Sequence, residues 1–248
     1  MKQRSLSMTG YFDKGKKTRR EIFLAEMEQV VPWGRLLGLI EPHYPKGSPA
    51  GGRPPLPMER MFRIYCLQQW YNLSDPGAEE ALYDSITMRQ FAGVQADDDV
   101  IPDETSILNF RRLLERHKLT ERLLTEINAH LSERVLFVGK GTIVDATIIN
   151  APSSTKNAEK KRDPQMHQTR KGKQWYFGMK MHTGVDDGFG LVHTVRATSA
   201  NVADVNVFGE LLHGDEERVH GDSAYHSKEL KARAEASGLE FNVNERGT

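Results

Sequence analysis

The sequence predicts an all-α N-terminal domain followed by a mixed α/β domain. Three observations predict it. Apolar residues recur at three- and four-residue steps from about residue 57 to 134. After Leu136 that period gives way to short, β-branched apolar runs. Two of those runs, Gly141-Thr142-Ile143-Val144-Asp145-Ala146-Thr147 and Arg218-Val219-His220-Gly221-Asp222-Ser223-Ala224-Tyr225, each deliver one aspartate to the end of a strand. A buried, unpaired carboxylate is costly or takes up a proton. Two that converge at one sheet edge can share that cost by holding a divalent cation, since Mg²⁺ takes oxygen ligands and keeps several waters. Taken singly, Asp145 also reads as a strand-end acid capping an amide, and Asp222 as part of a turn with Gly221 and Ser223.

The N-terminal elements follow in order. Ile22, Phe23, Met27 and Val30 place a helix over Arg19 to Val31, ended by Pro32. The Gly- and Pro-rich stretch from Pro42 to Pro57 reads as a linker. Met58, Met61, Phe62, Tyr65 and Cys66 line the next helix, and Leu73-Ser74-Asp75-Pro76-Gly77 breaks it and caps another through Ala78, Ala81, Leu82 and Ile86. Asp97-Asp98-Asp99 forms an acidic loop. Asp103 caps a helix striped by Ile107, Phe110, Leu113 and Leu114, and Thr120 caps one through Leu123, Leu124, Ile127 and Leu131. Arg60, Arg63, Arg111, Arg112, Arg116 and Lys118 are expected on exposed faces. Such a make-up suits a helical reader of DNA, and equally an ordinary bundle surface.

The second domain starts with a strand from Thr142 to Ile149. Ala151 to Gln174 is polar and basic and is expected to be an irregular insertion. Trp175, Phe177, Met179 and Met181 alternate with Tyr176, Gly178, Lys180 and His182, the pattern of a half-buried strand with the apolar set inward. Asp186-Asp187-Gly188 turns the chain into a return strand over Leu191 to Ala197, and His182 and His193 are expected to face each other across this hairpin. Asn201 caps a helix carrying Val202, Val205, Phe208, Leu211 and Leu212. A strand over Arg218 to Asp222, a helix from Ser227 to Ser237 and a strand from Leu239 to Val243 complete the series. This order is that of a ribonuclease-H-like (retroviral-integrase-like) mixed sheet, in which the first and fourth predicted strands lie side by side. Asp145 and Asp222 then become neighbours in space.

Composition bounds the function. The 248 residues hold one large domain or two modest ones, and Lys+Arg 34 balance Asp+Glu 34, so global charge does not point to a polyanion. Local charge does more. Residues 1–20 carry Lys2, Arg4, Lys14, Lys16, Lys17, Arg19 and Arg20 against Asp13 alone. Residues 155–173 carry Lys156, Lys160, Lys161, Arg162, Arg170, Lys171 and Lys173 against Glu159 and Asp163. Such blocks are either solvated segments or phosphate contacts. Lys180 is read either as a phosphate contact or as a solvated strand lysine. Trp175 and Tyr176 beside the basic loop are candidates for stacking on bases, with core packing the preferred role of Trp175. Cys66, the only cysteine, allows no intrachain disulfide and suits a reducing cytosol. The sequence has neither a signal-peptide pattern nor an apolar run of about 18 residues, so no conventional membrane span is expected.

Beyond these readings, Val144-Asp145-Ala146-Thr147-Ile148-Ile149 followed by Ala151-Pro152-Ser153-Ser154-Thr155-Lys156-Asn157 resembles the first catalytic strand of bacterial insertion-sequence transposases of the DDE class, the insertion-sequence-5 group above all. Arg162-Asp163-Pro164-Gln165-Met166-His167-Gln168 and Gly178-Met179-Lys180-Met181-His182 continue the likeness. Asn72-Leu73-Ser74-Asp75 and Glu79-Glu80-Ala81-Leu82-Tyr83 resemble that group's helical N-terminal domain. The resemblance implies a bacterial, cytoplasmic, nucleoid-associated transposase. Asp145 and Asp222 would be its first and second catalytic acids, both binding Mg²⁺ or Mn²⁺. Its partners would be double-stranded DNA, both terminal inverted repeats and target, and further copies of itself. Lys156, Lys160, Lys161, Arg162, Arg170, Lys171, Lys173, Lys180, Arg111 and Arg112 are the candidate DNA contacts. The expected organisation is a basic arm, helix and linker over 1–56, a helical DNA-binding domain over 57–134, and a catalytic domain over 135–248.

The group's third acid is a glutamate on a helix after the fifth predicted strand. Glu229, Glu235, Glu240 and Glu245 do not occupy that position, so the sheet domain is expected to be incomplete at its C-terminus. A truncated form of weak or no activity is then expected, with the alternative of a non-catalytic DNA-binding remnant that competes with intact transposase.

Overall fold

The computed structural model describes residues 15–47, 54–94, 100–134, 139–152 and 161–245. The chain divides into two units, Met1–Ile127 and Asn128–Thr248. Lys156, Lys160, most of the basic N-terminal arm and the Asp97-Asp98-Asp99 loop lie outside the described residues.

In the first unit the helices are α1 (Arg19–Val30), α2 (Trp33–Ile40), α3 (Met58–Tyr71), α4 (Asp75–Asp84), α5 (Ile86–Phe91), α6 (Glu104–Arg116) and α7 (Leu119–Glu133), with the division between units falling inside α7. Their starts are chemically marked. Thr18 and Glu21 form a reciprocal capping box on α1. Ser74 accepts from the Gly77 amide at 3.1 Å, and Asp103 accepts from the Ser106 amide at 2.6 Å. Helix α3 ends at Asn72, whose left-handed backbone (φ 51°) stops the spiral. One continuous core results, with Leu36, Ile40, Ile64, Leu67, Leu82, Ile107 and Leu114 among its most buried members.

Two expectations for this unit are corrected. A helix, α2, occupies Trp33–Ile40, where two glycines had masked the pattern. Helix α7 begins at Leu119, so Thr120 lies within it instead of capping it.

The second unit is built on a six-stranded sheet: β1 (Gly141–Asn150), β2 (His167–Lys171), β3 (Gln174–Asp186), β4 (Val192–Ser199), β5 (Arg218–Gly221) and β6 (Glu240–Val243), with α8 (Lys228–Ala236) between the last two. The strand order is β2-β3-β1-β5-β6, and β4 also pairs with β3. Strand β1 runs antiparallel to β3 and parallel to β5, and β5 runs parallel to β6. The sheet is therefore mixed. Its core gathers Val144, Val219 and Val243 from the strands with Val207, Phe208, Leu211 and Tyr225 from the connections.

Three features depart from the sequence reading. The basic insertion contains strand β2, whose residues His167-Gln168-Thr169-Arg170-Lys171 have no apolar alternation to betray it. The segment after Asn201 forms two short 3₁₀ turns, Asp204–Asn206 and Phe208–Glu210, in place of an α-helix. Val202, Val205, Phe208 and Leu211 are spaced by three, the 3₁₀ repeat. Finally, although Phe177 is buried as its pattern suggests, the rest of β3 buries the opposite side: Lys180, His182, Gly184 and Asp186 are buried, Met179 and Met181 are half-exposed, and Trp175 is 64% exposed.

Candidate active site on paired strands

The register of the sheet decides where the two aspartates stand. The parallel β1–β5 ladder pairs Gly141 with Arg218, Thr142 with Val219, Ile143 with His220 and Val144 with Gly221. Asp145 is the next residue in β1, which continues to Asn150, and Asp222 is the first residue after β5. Asp222 keeps extended backbone (φ −81°, ψ 175°) before the chain turns. Adjacent strands lie about 4.8 Å apart, so the two residues rise from neighbouring backbones. Val144, Val219 and Val243 belong to the buried core on one face. Alternation therefore puts Asp145 and Asp222 together on the other face, where both are exposed.

Local chemistry holds each carboxylate. Asp145 Oδ1 accepts from the Ala146 amide at 2.7 Å. Asp222 Oδ1 accepts from the Ala224 amide at 2.9 Å, capping a 3₁₀ turn over Ser223–Tyr225. Both single-residue roles read from sequence, amide cap and turn former, are thus realised, and both residues remain exposed. A pair of exposed carboxylates rising from adjacent strands is a donor set for a hard divalent cation with several waters. Among the described residues no group of three or more His, Cys, Asp or Glu side chains is arranged to hold a metal.

Beneath this pair, on the covered face, lies a buried polar chain that the sequence reading did not find. Lys180 Nζ donates to Asp204 Oδ1 at 2.7 Å and to the Val202 carbonyl at 2.9 Å. Asp204 Oδ1 is 3.7 Å from His182 Nδ1, which is 3.4 Å from the Tyr225 hydroxyl. His182 Nε2 reaches Thr198 Oγ1 at 2.9 Å. Burial pushes the His182 imidazole below its ordinary range and the Tyr225 phenol above its own; the carboxylates of Asp204, Asp145 and Asp222 push the phenol the same way. Imidazole and phenol are therefore both neutral near pH 7. The signal in the sequence was a lysine and a histidine two residues apart on a strand whose apolar partners had been given the inward face.

The expected DNA contacts are distributed unequally. Lys180 is corrected: with its ammonium buried against Asp204, it is not a surface phosphate ligand. Arg111 is drawn into ion pairs with Asp75 (2.8 Å) and Glu115 (3.1 Å), whereas Arg112 on the same helix is exposed. Arg63, expected on the surface, is also corrected. It is buried, bonded to Glu28 and Glu59, with its guanidinium 4.2 Å from the centre of the Trp33 ring. Lys161, Arg162, Arg170, Lys171 and Lys173 are exposed around the β2–β3 hairpin. Arg162 lies over the Phe177 ring at 5.3 Å, and Arg170 donates to the Gly172 carbonyl at the hairpin turn. Beside them is a cleft of about 610 Å³ lined by Asn150, Ala151, Pro152, Arg162, Gln168, Trp175, Tyr176 and Phe177. Trp175, assigned to the core by sequence, is on this exposed wall.

The hairpin acids and histidines have structural work. Asp186 accepts from the amides of Gly188 and Phe189, closing the β3–β4 turn, and from the Gly139 amide just ahead of β1. Asp187 binds Arg218, with Nη2 at 3.1 Å from Oδ1. His182 and His193 do not face each other. His182 is paired in register with Arg196, while His193 bonds Thr142 at 3.1 Å and packs edge-on against His213.

Two known families match the chain, one in each unit. Residues 12–113 match a family described as Transposase domain (DUF772), and residues 137–247 match one described as Transposase DDE domain. Among the described residues no helix is long and apolar enough to cross a membrane.

Proposed function

We propose that this chain, whose two matched regions are both transposase domains, is an insertion-sequence transposase of the insertion-sequence-5 group with a ribonuclease-H-like second domain. In this reading Asp145 and Asp222 jointly hold Mg²⁺ or Mn²⁺ at the DNA strand to be cut. The observation that carries it is the parallel register that brings these two acids side by side, Asp145 in the middle of β1 and Asp222 just past the end of β5, on one open face.

When bound, divalent cations supply a nucleophilic oxygen at neutral pH and stabilise the departing oxygen of a phosphodiester. The chain's own residues do the rest. Asp145 and Asp222 fix where the cation sits. Arg162, Arg170, Lys171 and Lys173 give the hairpin a cationic edge for the DNA backbone, and the exposed ring of Trp175 offers a face for a base. In cleavage, water oxygen bonds to phosphorus as the bond to the 3′ oxygen breaks, leaving a 3′-hydroxyl and a 5′-phosphate. In strand transfer that 3′-hydroxyl is the attacking group. The DNA would be the element's inverted repeats and a target, engaged by more than one copy of the chain.

A second reading is a DNA-binding form that does not cut and competes with an active transposase. It is favoured by the lack, among the described residues, of a third metal-ligating side chain beside the aspartates. Glu229 and Glu235 lie on α8 and Glu240 on β6, while Glu245 is 3.8 Å from Lys231.

Incubating terminal-repeat DNA with the chain and Mg²⁺ separates the two. Nicking that disappears with Asp145→Asn supports the enzyme. Salt-sensitive mobility shift without nicking supports the competitor. Neither shift nor nicking at low salt contradicts both.

A further inference from the structure

The buried chain under the aspartates has a use that follows from where its ends are anchored. Tyr225 is fully buried and closes the 3₁₀ turn that Asp222 opens, with the Tyr225 amide donating to the Asp222 carbonyl at 3.2 Å. Its hydroxyl reaches His182 on β3. Strand β3 flanks β1 on the side away from β5, and His182 is paired in register with Ala146, the residue after Asp145. The link thus runs from the Asp222 turn, under β1, to the strand on its far side.

Both ring nitrogens of His182 are partnered, Nε2 with Thr198 Oγ1 at 2.9 Å and Nδ1 with the Tyr225 hydroxyl at 3.4 Å. Lys180 holds Asp204 in place beside the imidazole.

We propose that Tyr225 and His182 are positioning residues for the metal pair: their hydrogen bond ties the Asp222 turn across β1 to β3 and so sets the gap between the Asp145 and Asp222 carboxylates. This rests on the reading of that pair as a divalent-cation site. The device resembles in its logic an outer-shell partner that orients a metal ligand; loss of such partners lowers metal affinity about 10–100-fold.

The test is Mn²⁺ binding to the full chain, followed by the electron paramagnetic resonance of free Mn²⁺, with thermal melts of every variant. Wild type is expected to bind and the Asp145→Asn/Asp222→Asn double variant not to bind. Tyr225→Phe and His182→Phe are each expected to bind about tenfold more weakly or worse. The variant carrying both changes should be no weaker than the poorer single, since one link is broken once. Phe208→Leu packs beside Tyr225 in the same core and lowers stability without touching the hydrogen bond; it should keep wild-type affinity. Wild-type affinity in Tyr225→Phe, or an equal loss in Phe208→Leu, overturns the positioning role and leaves the metal reading intact. Failure of wild type to bind Mn²⁺ overturns the metal reading itself.

Discussion

The two units differ in what they hide from water. The helical unit buries Leu, Ile, Phe and Met almost throughout, and its buried Arg63 is neutralised by Glu28 and Glu59. The sheet unit has a smaller apolar core and buries Thr142, Lys180, His182 and Asp186 beside it. The first is stabilised chiefly by removing apolar surface from water. The second depends more on every buried polar group having its partner, since an orphaned one costs far more than a made bond contributes. Damage should therefore take different forms in the two halves.

The largest expected effect is in the sheet unit. Lys180→Met leaves the Asp204 carboxylate, itself largely buried, without its cation, and removing one partner of such a pair costs about 3–5 kcal/mol. Urea unfolding of the variant checks this. A change confined to DNA affinity, with stability intact, would break the contrast and return Lys180 to the surface role its sequence suggested. Next comes the helical unit, where Leu114→Ala empties part of a fully buried site and should cost about 2–5 kcal/mol by the same assay. At the small end, Lys140→Ala removes an exposed pair with Glu217 and should change stability by less than about 1 kcal/mol.

Acid sharpens the contrast. Burial holds the imidazoles of His182 and His193 below their ordinary 6.5, so both favour the neutral form when folded. Their contribution is complete above that value and is lost as pH falls through their depressed folded values. In the helical unit, the hydrogen bond from Arg111 holds Asp75 below its ordinary 3.8, so that contribution survives until pH falls through a still lower value. Hydrogen exchange along a pH series should therefore show β3 losing protection at a higher pH than α6. Simultaneous loss in both would contradict the difference.

The same contrast explains what was legible in the sequence. Helices α1, α3, α4 and α6 announce themselves because their buried faces are apolar and their caps, Ser74 and Asp103 among them, are conventional. Asp145 and Asp222 were readable as acids among apolar strand residues, but only Asp222 follows a strand end; Asp145 stands in the middle of β1, which runs on to Asn150. Strand β3 was readable as a strand, yet its inward face was assigned backwards, because Lys180 and His182 satisfy one another's neighbours in three dimensions and no periodicity records that. Strand β2 is polar on both sides, and α2 is interrupted by Gly34 and Gly38, so neither left a clear pattern. Tyr225 and Asp204 join the site only through a fold that brings two distant turns together.

The most direct test of the shared metal site replaces Mg²⁺ with Fe²⁺ and generates hydroxyl radicals from ascorbate and peroxide, which cut the backbone close to the bound ion. The register of β1 and β5 predicts cuts near both residue 145 and residue 222 in the same preparation, with both lost in Asp145→Asn. Cutting near one strand only, or an unchanged pattern in that variant, would contradict a cation held between them.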